Sequence, residues 1–218
     1  MIFSNARKLA LSGWLRENGR TEYNSALKLQ KFHLFYEAFT KIDGESADFD
    51  HLKGYQRGPV FSNVWGDYTH ERHAFDEAVE HEYSSHTDQI KIPRAQKSKF
   101  LVSILSEKEL SELTHRMNLW KAKESRIMSG EYQVGLCESD FDENDFHFMR
   151  LLDQMYPLAL IEQSSVVEID NHYFLLSKSD AIRLTEQHYD ILSTISEQEE
   201  LVNPIYVEID SEGRLVID

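Results

Sequence analysis

One cysteine, four prolines and nine glycines in 218 residues leave the chain poor in everything that staples or punctuates a small fold. The lone thiol, Cys137, makes no internal disulfide, which is the cysteine usage of a reducing cytosol. No apolar run approaches the 18 or so residues a membrane-spanning helix needs. The apolar stretch Leu9 to Leu11, between Arg7-Lys8 and Gly13, is too short for a secretory leader. The expectation is a cytoplasmic protein with no membrane partner. A chain of this length buries roughly 70% of its unfolded surface, so neither a metal nor a disulfide is needed to hold a core. The G-x-S-x-G, Walker A and G-x-G-x-x-G signatures are also missing, and with them the nucleophile elbow and the phosphate cradle.

Positive charge is scarce in one half only. Residues 131–218 hold 4 Lys+Arg against 20 Asp+Glu, leaving 19 against 18 for residues 1–130, within a net charge of −15. An acidic half repels phosphate backbones and has no counterions to release from them. It suits a basic protein partner, which it would steer, or serves solubility alone.

What is present is helical patterning. Ser25 to Ile42 carries apolar residues at three-, four- and seven-residue offsets (Leu27, Leu34, Phe35, Ala38, Phe39, Ile42) and a second apolar face in Leu29, Phe32 and Tyr36. It reads as a central helix surrounded by others. Asn5 caps a first helix that Gly19 stops. Gly54 and Gly58 mark a tight connection, with Pro59 opening a helix through Val60, Val64 and Tyr68. Gln89 to Ile92 reads as a short strand, Lys99 to Leu105 as a helix, and Ser106 with Glu109 as a capping box. A helix over 140–155 should bury Phe141, Phe148, Leu151, Leu152 and Met155. Beyond it the pattern changes: a hairpin around Asp170-Asn171, a helix over 179–196, and a second hairpin from Ile205 to Ile217. The fold class is therefore mainly α (α+β), with a helical domain over 1–155 and an acidic α+β extension over 156–218 whose β component is small and antiparallel.

Candidate chemistry is thin. His70-Glu71-Arg72-His73 and the His81–His86 stretch lack the spacing of H-E-x-x-H, in which two histidines four apart share a helix face. Five residues leave His81 and His86 about 140° out of line. A metal-dependent or cysteine hydrolase built on 70–86 is a minor reading, and neither metal nor cofactor is expected. Cys137 lies in acidic surroundings that raise a thiol pKa, so no nucleophile is expected there. Lys91, Arg94, Lys97 and Lys99 cluster without interleaved aromatics, so no nucleic-acid partner is expected. No residue is assigned a catalytic role.

Three blocks add to this reading. Leu29-Gln30-Lys31-Phe32-His33-Leu34-Phe35-Tyr36 is one, and Gly54-Tyr55-Gln56-Arg57-Gly58-Pro59-Val60 with Val64 and Tyr68 is the second. Leu110-Ser111-Glu112-Leu113-Thr114-His115 with Trp120-Lys121 is the third. In order and spacing they resemble the Panacea domain family over about residues 24–155. His33, Phe35-Tyr36 and Gln56-Arg57 depart from its usual residues. The resemblance implies an antitoxin of a bacterial or phage toxin–antitoxin pair that neutralises a co-encoded toxin by direct binding. The alternative is an adaptor that hands cargo to an ATP-dependent cellular protease. It implies that Gly58 and Pro59 shape a turn and that Tyr55 and Arg57 touch the partner. His115 and Trp120 match family positions and are read either as partner contacts or as a helix-end histidine and a core tryptophan.

Overall fold

The computed structural model describes residues 1–198 and 201–218. The chain begins with α1 (Ala6–Asn18), α2 (Arg20–Asn24) and α3 (Ala26–Ile42), then a hairpin of β1 (Leu52–Tyr55) and β2 (Gly58–Phe61). Next come α4 (Ser62–His70), α5 (Arg72–His86), α6 (Ile92–Ser103), α7 (Glu107–His115), α8 (Asn118–Lys121) and α9 (Glu124–Met128). A two-residue strand, β3 (Val134–Gly135), precedes α10 (Glu143–Met155) and α11 (Leu158–Gln163). The C-terminal part runs β4 (Ser164–Ile169), β5 (His172–Ser177), α12 (Lys178–Arg183), α13 (Glu186–Ser196), β6 (Ile205–Ile209) and β7 (Leu215–Ile217). The fold is mainly α with small sheets.

Helix α3 is the axis of the body. Ser25 caps it through Lys28 N, and every residue from Lys28 to Thr40 is buried. It packs against α1, α2, α4, α6, α7, α10 and β2, with Trp14 of α1 stacked on Phe32 at 6.0 Å. Side chains such as Leu29, Phe32, Leu34 and Phe35, none of them accessible, each contribute about 1.5–3 kcal/mol by leaving water.

Complete burial also traps polar groups, and each needs a partner. Gln30 Oε1 accepts Phe61 N at 2.8 Å. His33 Nε2 meets Ser12 Oγ at 2.9 Å, and burial, followed by the charge of Lys8, pushes its pKa down to about 3, so the ring is neutral. At the helix's C-terminal end Glu37 accepts Arg7 Nε and Nη2 at 2.9 and 2.7 Å and Asp48 N at 2.9 Å. Lys8, inaccessible, bonds Asp48 through both its carboxylate and its carbonyl at 2.9 Å. That network ties α1, α3 and the following loop together with both signs of charge present.

Several expectations are corrected. Pro59 sits in β2, opposite Gly54, and α4 begins only at Ser62. Because β2 is an edge of the β2-β1-β3 sheet, a residue without an N–H removes no ladder bond there. Gln89 to Ile92 is not a strand. A short 3₁₀ turn (Thr87–Gln89) leads into α6, whose first turn holds Pro93, a position its fixed φ suits. Helix α10 is rotated from the expected phase, so Leu151 and Met155 are exposed while Asp145, Met149 and Leu152 face inward. The cause is Asp145, whose carboxylate accepts Asn118 N and Leu119 N at 2.6 and 2.8 Å and caps α8. The single helix expected over 179–196 is two, because Thr185 caps α13 in a reciprocal pairing with His188.

The β4–β5 hairpin turns on Asp170 and Asn171, both at positive φ (50° and 64°), the geometry of a type I′ turn. The C-terminal sheet has the order β4-β5-β6-β7 and is antiparallel except that β5 and β6 run parallel, the α12–α13 pair carrying the chain back as such a crossover requires. Phe174, Leu176, Leu192, Ile205 and Val207 form a second small core. Leu175 and Val166 pack instead on the main core, and Lys28 Nζ donates to Tyr173 OH at 3.0 Å.

Candidate partner-binding site

The six residues singled out from the sequence gather around the β1–β2 hairpin. Its loop is Gln56-Arg57, with Tyr55 paired to Gly58. Neither loop residue has a positive φ, whereas Gly58 takes +102°, and a glycine there restores the strand twist that a type I turn alone would splay. A Cβ at Gly58 would lie 2.5 Å from Lys31 Nζ and 2.7 Å from Thr114 Oγ1, so space and backbone both demand glycine.

The turn is clamped from two sides. From α3 below, Lys31 Nζ donates to the carbonyls of Arg57 and Pro59 at 3.2 and 3.3 Å. From α8, Trp120 Nε1 donates to Tyr55 O at 3.0 Å. His115, ending α7, stacks on Trp120 with ring centroids 4.0 Å apart and 25° between planes. Trp120 is 2% exposed, so its role here is to hold the hairpin. His115 Nε2 is buried and has no partner among the described residues. Burial, then the Lys31 charge, lowers the His115 pKa, which leaves the ring neutral at pH 7.

Lys31 is the unusual group. It is 1% exposed, and burial alone pushes its pKa down to about 7. No carboxylate offsets that burial, in contrast to Lys8, whose depression Glu37 and Asp48 oppose. An ammonium has three protons to donate, and neutral carbonyls take two of them.

Beside the clamped turn lies a cleft of about 550 Å³ lined by Leu27, Lys31, Arg57, Val60, Trp65 and Glu107 among others. Its walls are mostly apolar, and Trp65 is 40% exposed. Tyr55 is half-buried at the rim and Arg57 is exposed. The arrangement therefore divides the six residues. Gly58, Pro59 and Trp120 are buried and build the turn, His115 supports Trp120, and Tyr55 and Arg57 are presented outward. Tyrosine, tryptophan and arginine beside an apolar depression are the residue types that dominate binding energy at protein interfaces.

Sequence reasoning did not single out Lys31 or Trp65. Lys31 carried a readable signal: a cation three and four residues from Leu27, Leu34 and Phe35, on a face that is otherwise apolar. Trp65 carried none, because its exposure depends on how α4 is rotated. The histidine-rich stretch is dispersed: His73 and His81 have side chains 90% and 76% exposed. Among the described residues no group of three or more His, Cys, Asp or Glu is placed to hold a metal ion, and no helix is long and apolar enough to cross a membrane. No family model matches the chain, and no curated protein or solved structure is significantly similar to it.

Proposed function

We propose that this chain is a protein-binding module acting as the antitoxin of a bacterial or phage toxin–antitoxin pair, neutralising a co-encoded toxin in the cytoplasm by occupying its surface, without chemistry of its own. The observation that carries the reading is the convergence of three sequence blocks, 29–36, 54–60 and 110–121, on one clamped hairpin. A turn held by a buried lysine, a tryptophan and a positive-φ glycine is pre-organised, and pre-organisation lowers the entropy lost on binding. The hairpin presents Tyr55 and Arg57 beside the cleft with Trp65. The 20 acidic against 4 basic residues of 131–218 would speed encounter with a basic toxin, in a salt-dependent manner.

The test is bacterial growth. The adjacent open reading frame is induced with and without this chain. Growth arrest by the neighbour and its relief by this chain support the reading, and Arg57→Glu should weaken the relief at unchanged protein level. A harmless neighbour, or one that arrests growth regardless, refutes it.

A further inference from the structure

The cleft beside the hairpin has a chemistry more specific than an apolar dent. Leu27 and Val60 furnish its walls, and Trp65 is partly open to solvent at its side. Lys31 lies against it, 1% exposed, its amine donating to two carbonyl oxygens of the turn. Arg57, exposed at the turn, makes no ion pair with any described residue within 4.0 Å. One exposed guanidinium, with the buried Lys31 amine behind the turn, therefore borders an apolar cleft in a protein whose net charge is −15. The one carboxylate on the rim, Glu107, is engaged, since its Oε1 accepts Ser25 Oγ at 2.7 Å.

We infer that this cleft receives a segment of the partner protein that offers a carboxylate side chain next to a large apolar side chain, the carboxylate going to Arg57 and the apolar group to the Leu27–Val60–Trp65 wall. The inference rests on the reading that the chain binds a partner protein through this face. An unpaired guanidinium matches a carboxylate through two parallel N–H donors. The partner's carboxylate must be local, because a broadly acidic partner would be repelled by this chain's surface.

The experiment uses the full chain and no toxin, so its outcome is independent of the growth test. Amide and indole chemical shifts of the isotope-labelled protein are followed while acetyl-Leu-Glu-Phe-amide, acetyl-Leu-Gln-Phe-amide or phenylpropanoate is added. The glutamate peptide should give saturable shifts at the Trp65 indole and the Gln56 and Arg57 amides. The glutamine peptide should bind about fivefold more weakly, the contribution of an ion pair to the exposed Arg57. Arg57→Gln should abolish the preference for glutamate. Glu107→Gln should raise the affinity of the glutamate peptide about twofold by removing a like charge. Equal binding of the two peptides overturns the inference. So do shifts confined to another part of the protein, or binding of phenylpropanoate without binding of the blocked glutamate peptide, which would make the cleft a small-carboxylate site instead.

Discussion

Lys31 and Glu37 lie on the same buried helix, and the fold treats them in opposite ways. Around Glu37 the opposing charges are all present: Arg7 binds it through two nitrogens, Lys8 lies 4.0 Å away, and Asp48 balances Lys8. Around Lys31 there are only carbonyl dipoles and no acid. A buried charge that is compensated serves to lock elements together. One that is not compensated is costly to keep, and such perturbed groups concentrate at functional sites. The comparison separates the structural end of α3 from the end that borders the cleft.

The largest break should come at the compensated end. Glu37→Ala leaves Asp48 N without its acceptor and buried Lys8 with one acid, and turns Arg7, whose side chain is 40% exposed, toward water. Removing one partner of a buried ion network costs about 3–5 kcal/mol, to be read from chemical denaturation.

The uncompensated end should show itself through pH. The folded-state pKa of Lys31 is about 7, below an unfolded value of about 10.4, so between those values the unfolded chain binds the extra proton and Lys31's contribution to stability rises with pH. The stability of the wild type minus that of Lys31→Met should climb from pH 7 to 10 with a slope of up to about 1.4 kcal/mol per unit. His115, the titratable neighbour, is already neutral throughout that window. A flat difference would mean that the amine is not desolvated.

Gly58→Ala should be milder, about 1–3 kcal/mol from the positive φ and the crowding against Lys31, and it should weaken partner binding more than global stability suggests. Leu151→Ala should be the smallest change, within about 0.5 kcal/mol, whereas the adjacent Leu152→Ala should cost about 2–5 kcal/mol, since only the second is buried. Equal effects would return α10 to the phase its hydrophobic pattern suggested.

That pattern shows where sequence reasoning reached its limit. The α3 stripe, the Asn5 cap, the Ser106–Glu109 box and the Asp170-Asn171 turn were all legible, because each is a local matter of periodicity or of a side chain reaching its own backbone. The rotation of α10 was not, because Asp145 is drawn inward by two backbone amides that precede it by more than twenty residues. The strand over Gly58–Phe61 was hidden for a similar reason: β1, Gln30 and Lys31 supply its partners, and a proline beside a glycine reads locally as a helix start.

The order of the residues by itself determined a helical body around one apolar helix and an acidic C-terminal part with strands, since burial of periodic apolar surface leaves few alternatives. Which of the six candidate residues face outward was decided only by tertiary structure. Gly58, Pro59 and Trp120 went inside because Lys31 and Trp120 had hydrogen-bond donors to satisfy, and the hairpin carbonyls were the acceptors within reach. Tyr55, half-buried, and Arg57, exposed, stayed at the surface of the turn so clamped.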